Sequence, residues 1–259
     1  MVSAVLAYLT VMLVVSLIYE TLIFHPSKLS ESSETSITES VQEAEKIKIE
    51  REGVELHGWL VEKDPEHVVI YFGGNAEEVS WMVHNHQKLG NSSLLLMNYR
   101  GFGRSTGKPR IDPMKEDSLF VHDRIKEVYG FEKFTVFGRS IGTGFATHLA
   151  FHRDDVERAV MVSPFTSLSD IASEIWMYRP VSWFIGDRFS MVDRAETLDI
   201  PLLMVAGGDD RIIPEDISEE YYQAWKGEKE RVVIEGRGHN DLQLDDKYWN
   251  SIREFLEEN

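Results

Sequence analysis

The chain has 259 residues, of which 42% are hydrophobic, enough for one large domain with a sizeable core. Its formal charge of −17 repels phosphate backbones, which argues against nucleic acid as a partner and against electrostatic docking on anionic lipid. There is no cysteine, so disulfides, thiolate catalysis, thiolate metal sites and a bacterial lipoprotein anchor are excluded.

Val2 to Tyr19 carries no charged residue. At ~1.5 Å per residue this stretch is about 27 Å long, close to the thickness of a hydrocarbon core. Leu22, Ile23 and Phe24 extend the apolar run beyond Glu20. A cleavable signal peptide needs a positive start and a small-x-small cleavage site. Ser16-Leu17-Ile18-Tyr19 offers no such site, and no Lys or Arg precedes it. A buried core helix apolar on all faces rarely opens a soluble domain. Residues 1–24 therefore predict an uncleaved, single-pass transmembrane anchor. Lys28 lies after the segment, a slight bias towards a cytoplasmic catalytic side.

Residues 25–44 predict a linker, because 29–44 is dominated by Ser, Thr and Glu. The regular domain, 45–259, opens with two alternating runs, Lys46 to Glu50 and Val54 to Val61, about a Glu52-Gly53 turn. That is a hairpin pattern. Apolar runs then recur at 67–72, 93–99, 133–138, 158–163, 201–207 and 231–236, with segments of helical character between most of them and Trp249–Leu256 closing the chain. Continuous apolar strands alternating with helices imply a mostly parallel sheet covered on both faces. Ligands of such sheets bind beyond the carboxyl ends of the strands, so chemistry is expected just after each run.

The run at 133–138 leads into Gly138-Arg139-Ser140-Ile141-Gly142 and then a helical stretch of small and apolar residues. This is G-x-S-x-G at a strand-to-helix turn, a setting that makes Ser140 a candidate nucleophile. A Ser hydroxyl needs a base, and after such an elbow the chain order is an acid and then a His. His239, in the loop after 231–236, fits the base. His148 and His152 lie on the helix directly behind Ser140 and read as packing or surface residues. The loop after 201–207 holds two candidate acids, Asp209 and Asp210, one to orient the imidazole and the other free to cap the next helix or pair with Arg211. Spacing does not choose between them. Gly73-Gly74-Asn75, after the 67–72 run, stands where one oxyanion N–H is needed, with Ile141 supplying the other.

Two further motifs carry less. His84 and His86 lie two apart, which on a helix sends them to different faces and argues against a shared metal. Gly101-Phe102-Gly103 lacks the rest of a phosphate loop and reads as a tight turn.

Taken together, Gly74-Asn75-Ala76, the run 98–109 (NYRGFGRSTGKP), 137–142 (FGRSIG), 163–168 (SPFTSL), 207–214 (GGDDRIIP) and 238–241 (GHND) resemble the Bem-type α/β-hydrolases, a group that includes membrane-anchored abhydrolase-domain proteins. The resemblance spans about 45–257 in the family order. It implies an α/β-hydrolase fold with about eight strands, helices on both faces and a small cap insert at about 164–198, preceded by the N-terminal transmembrane helix. In the family the acid stands four residues before the Pro of D-x-x-[VI]-P, which implies Asp210. The family usually has His-Gly-Asn at the oxyanion loop, whereas this chain has Gly73-Gly74-Asn75. The backbone donor survives that change and the His side chain does not.

The implied reaction is acyl transfer to water by Ser140, His239 and Asp210, with the N–H groups of Asn75 and Ile141 as oxyanion hole and no cofactor or metal. In the cap insert Trp176, Trp183 and Phe184 are candidates for an acyl pocket, or for packing of the cap. The expected substrate is an ester or thioester with an acyl chain, lipid-like or on a lipidated protein. A peptidase of the same fold and a non-catalytic scaffold are the alternatives. Scaffolds of this fold usually lose the Ser or His, and this chain keeps both.

Overall fold

A computed structural model describes residues 8, 10, 11, 13, 14, 19–174, 182 and 185–258. Strands β1 (Ala44–Arg51) and β2 (Val54–Val61) form the expected hairpin, with Glu52 and Gly53 at φ of 52° and 75° in its turn. They are followed by β3 (His67–Phe72), β4 (Ser93–Met97), β5 (Lys133–Arg139), β6 (Val156–Val162), β7 (Leu202–Gly207) and β8 (Lys229–Ile234). The eight strands make one sheet in the order β1-β2-β4-β3-β5-β6-β7-β8. β2 is antiparallel to both neighbours, and every pairing from β4 to β8 is parallel.

The continuous apolar runs have the reason the sequence suggests. Along β3, Val68, Ile70 and Phe72 join the core on one face, while Val69 and Tyr71 join the core on the other. Helices α2 (Ile111–Tyr129), α3 (Gly142–His152) and α6 (Glu215–Ala224) cover the first face. Helix α7 (Asp246–Glu257) and the 3₁₀ helix Val79–Leu89 cover the second. In α7, Trp249, Ile252, Phe255 and Leu256 recur at helical spacing and are all buried. Each such side chain stabilises the fold by about 1.5–3 kcal/mol on burial, and Asp245 caps the helix through Lys247 N at 3.0 Å.

The stretch expected to be a linker is more ordered than its composition suggests. Helix α1 (Glu31–Ser40) occupies most of it, with Ser30 as N-cap accepting from Ser33 N at 3.1 Å. Only two of its side chains, Glu34 and Ile37, are buried. Ile37 packs with Trp59 and Val61, and Glu34 bonds His57 Nε2 at 2.8 Å and meets Lys46 at 3.2 Å. Tertiary partners on the hairpin therefore hold a helix that has no continuous apolar stripe of its own.

The predicted anchor falls largely outside the described residues. Among the described residues no helix is long and apolar enough to cross a membrane. Tyr19 to Ile23 are helical, and Tyr19 and Phe24 are buried in the core. The cap insert is described in part, as α4 (Leu168–Glu174), a 3₁₀ turn at Gly186–Phe189 and α5 (Val192–Ala195). The suggested pocket residues Trp176, Trp183 and Phe184 lie outside the described residues.

Candidate active site

Ser140 follows the last residue of β5 and precedes α3. Its φ is 52°, a left-handed value that costs a non-glycine residue strain of about 1–3 kcal/mol. The turn is held by Ser140 N donating to Val162 O at 2.8 Å and by Thr143 N donating to Ser140 O at 2.9 Å. Both flanking glycines are sterically required. A Cβ on Gly138 would come within 2.6 Å of Thr143 Cα, and one on Gly142 within 2.0 Å of Phe72 O. The G-x-S-x-G spacing is thus the footprint of a backbone packed against two of its neighbours.

Asp210 sits after β7, 7% exposed, whereas Asp209 is solvent-exposed. The Asp210 carboxylate has every lone-pair direction engaged. Oδ1 accepts from Ile212 N and Ile213 N, both at 2.9 Å. Oδ2 accepts from Ser163 Oγ at 3.0 Å and pairs with His239 Nδ1 at 2.7 Å. Burial alone would raise its pKa, but the His239 bond and the two backbone donors outweigh burial and hold it below the usual carboxylate value. The choice between the two acids that spacing left open is made by this geometry: only Asp210 reaches the imidazole.

Ser140 and His239 line one cavity of about 370 Å³ at the carboxyl end of the sheet. Gly74, Asn75, Ala76 and Ile141 line it with them, as do His25, Arg139 and Asn240, and the rest of the lining is apolar: Leu22, Ile23, Phe165, Leu168, Ile171, Ile185, Ile212 and Ile213. Among the described residues, the N–H groups of Asn75 and Ile141 have no acceptor within the protein. Two free donors in residues lining a cavity shared with Ser140 are what an oxyanion hole requires.

Three parts of the site had no role assigned from the sequence. Ser163, just after β6 with φ of 46°, gives Asp210 its fourth bond; it opens the stretch 163–168 that carries the family resemblance. Arg139, the residue before Ser140, reaches Glu77 Oε2 at 2.8 Å and the His239 carbonyl at 2.9 Å. Leu22, Ile23 and His25 come from the segment assigned to the anchor and linker.

The remaining candidates lie elsewhere. His148 is 6% exposed, with neither ring nitrogen bonded, and burial pushes its pKa down to about 3, so it stays neutral. His86 is buried and bonded to Val83 O at 2.7 Å, while His84 is exposed. Gly101 and Gly103 take φ of 83° and 50° in a turn closed by Gly101 N to Thr106 O at 2.8 Å.

Comparison with known proteins agrees with the fold. The family model described as serine aminopeptidase, S33 (Hydrolase_4) matches residues 63–190. The uncharacterized protein Rv2307c of Mycobacterium tuberculosis is 30% identical over 217 residues, covering 80% of this chain and 77% of its own length. Protein bem46 of Schizosaccharomyces pombe is 26% identical over 259 residues, covering 93% of this chain and 87% of its own. The fold is similar to that of the esterase Pf2001 of Pyrococcus furiosus, with a TM-score of 0.71 at 19% identity over 90% of this chain and 98% of that one.

Proposed function

Because this chain belongs to the Bem-type family of α/β-hydrolases, we propose that it is a serine hydrolase of carboxylic esters or thioesters with apolar acyl groups. The observation that carries this reading is the 2.7 Å pairing of His239 Nδ1 with Asp210, in a cavity that His239 shares with Ser140. With Nδ1 committed to the carboxylate, Nε2 is the nitrogen left to accept a proton.

Ser140 Oγ attacks the carbonyl carbon as His239 Nε2 takes the hydroxyl proton. The carbonyl oxygen becomes an oxyanion, held by the N–H groups of Asn75 and Ile141. His239 returns the proton to the leaving alcohol or thiol, which departs and leaves an acyl-Ser140. A water then gives a proton to His239 as its oxygen attacks the acyl carbon; when the acyl–Ser140 bond breaks, His239 passes that proton to Ser140 Oγ, and the acid is released. Asp210 orients the imidazole and stabilises its cation throughout.

The apolar walls favour an acyl chain over a polar group at this position. The aminopeptidase in the family description has less support. A substrate with a free α-ammonium calls for a nearby carboxylate, and among the described residues no Asp or Glu lines the cavity. We further propose that the uncharged run that begins at Val2 anchors the enzyme in a membrane, up to the point where Tyr19 and Phe24 join the core of the domain.

A fluorophosphonate probe tests the central claim. It should label Ser140, and Ser140→Ala should lose both labelling and p-nitrophenyl ester cleavage. Full hydrolysis by His239→Ala would overturn the assignment of the base.

A further inference from the structure

The residues that follow the apolar N-terminal run do not trail away from the domain. They are tied to it at three points. The Glu20 carboxylate accepts from Arg110 Nε and from Ile111 N, both at 2.9 Å, and so caps the start of α2. Phe24 is 2% exposed within the main core. Ser27 O accepts from Gly103 N at 2.7 Å, and Lys28 pairs with Gly103 as an isolated bridge.

Between these ties the chain crosses the catalytic cavity. Ile23 O accepts from Asn75 Nδ2 at 2.7 Å, and His25 N donates to Asn75 Oδ1 at 3.0 Å. One side-chain amide is thus bonded to the main chain on both sides of Phe24, and that amide belongs to an oxyanion-loop residue. Leu22 and Ile23 are half-buried against the core and face the same cavity as Ser140.

We infer that Leu22 to His25 is a fixed wall of the acyl-binding cavity, and that Leu22 and Ile23 set which acyl groups fit. The inference rests on the hydrolase reading and deepens it. A segment pinned at Glu20, Phe24 and Ser27, and clamped to Asn75, cannot swing aside to admit a larger group. The wall it presents is two branched aliphatic side chains, and an acyl chain lying against them gains about fourfold in binding per methylene buried. The shape of this wall therefore selects chain length and bulk, although its residues lie more than a hundred positions before Ser140 in the chain.

The test uses the full chain in detergent micelles and p-nitrophenyl esters from acetate to dodecanoate. Leu22→Trp and Ile23→Trp fill the cavity, and each should lower the octanoate-to-acetate ratio of kcat/KM at least tenfold. Leu22→Ala enlarges it, and should move the preferred chain length up by two carbons or more. Circular dichroism and thermal midpoints monitor folding, and the Leu22→Ala profile decides the matter if either Trp variant fails to fold. Profiles within twofold of wild type in the folded variants would overturn the inference, provided fluorophosphonate still labels wild-type Ser140. Absence of that labelling would overturn the hydrolase reading itself, and this inference with it.

Discussion

Arg139 and Glu77 form a buried ion pair, 2.8 Å between Nη1 and Oε2, that joins three loops of the site. Glu77 lies in the loop after β3 and also accepts from Gly74 N at 2.7 Å, Tyr71 OH at 2.6 Å and Trp81 Nε1 at 2.7 Å. Arg139 precedes Ser140, the proposed nucleophile, and its other arm donates to His239 O at 2.9 Å and Asn240 Oδ1 at 3.3 Å. One guanidinium thus holds the oxyanion loop, the nucleophile turn and the histidine loop in a common frame. Burial disfavours the Arg139 charge, but Glu77 beside it more than compensates and raises its pKa.

Removing one partner of such a pair leaves the other charge buried and unpaired, which costs about 3–5 kcal/mol. Arg139→Ala should therefore destabilise the protein by that order in urea unfolding. It should also lower kcat by about 10- to 100-fold, because all three loops lose a shared donor. Arg139→Lys keeps the charge but not the fork, and should recover stability more fully than kcat. A variant with wild-type kcat and lowered stability would make the pair a stability element alone.

Asp210 predicts both a rate effect and a pH effect. Asp210→Asn preserves shape but favours the wrong imidazole tautomer, and kcat should fall about 10⁴-fold. Ser163→Ala removes one bond to the same oxygen and should cost about 1.5–3 kcal/mol of stability, since the acceptor is charged. The folded pKa of Asp210 is depressed, so its contribution to stability is present above the unfolded carboxyl value of about 3.9 and is lost as pH falls through the folded value. The contribution of the Asp210 carboxylate to the stability gap between wild type and Asp210→Asn should accordingly shrink as pH falls below about 4. Urea titrations between about pH 5 and pH 2 measure it, and a gap that widens as pH falls below about 4 would contradict the assignment.

Glu34 is the buried charge that holds α1 to the hairpin. It pairs with His57, Lys46 and Arg104, at 2.8, 3.2 and 3.3 Å. Burial raises its pKa, but the bond from Lys46 and the charges of Lys46 and Arg104 act against burial, and the pKa is lowered. Burial prevails at His57, whose pKa is lowered despite the Glu34 carboxylate. Glu34→Ala should destabilise the protein by about 1.5–3 kcal/mol and speed hydrogen exchange across 31–40 well before global unfolding. Uniform protection of α1 in the variant would show that Ile37 alone suffices to dock it.

The legible parts of the molecule are those where one stretch of chain carries its own cause. β3 reads as a strand buried on both faces because Val68 to Phe72 is continuously apolar, and both cores use it. Gly138 and Gly142 announce the nucleophile turn because side chains there would overlap the backbone. Helix α1 was not legible, since its order comes from His57 and Lys46, distant in sequence. The Arg139–Glu77 brace was hidden for the same reason: 62 positions separate its two ends, and neither residue is unusual where it stands. Spacing leaves Asp209 and Asp210 equivalent; the resemblance to D-x-x-[VI]-P favours Asp210, and the turn after β7 buries Asp210 while leaving Asp209 in solvent.

The N-terminal segment allows membrane attachment and folding to be separated by the cutting point. Deleting residues 1–18 removes most of the uncharged run and keeps Glu20, Phe24 and the Asn75 clamp. Deleting 1–24 removes the cap on α2 and the Phe24 side chain as well. Losing a buried Phe costs about 3–5 kcal/mol, and losing a helix cap about 1 kcal/mol more. The shorter deletion should leave the membrane fraction while its thermal midpoint and esterase activity stay near wild type. The longer one should be released too, but destabilised by several kcal/mol and impaired in kcat, because Asn75 loses its bond to Ile23 O. Fractionation, thermal melts and ester kinetics on the two proteins make the comparison. Equal stability and activity in both would mean that the domain begins after Phe24, and that the ties at Glu20 and Ile23 contribute nothing to fold or catalysis.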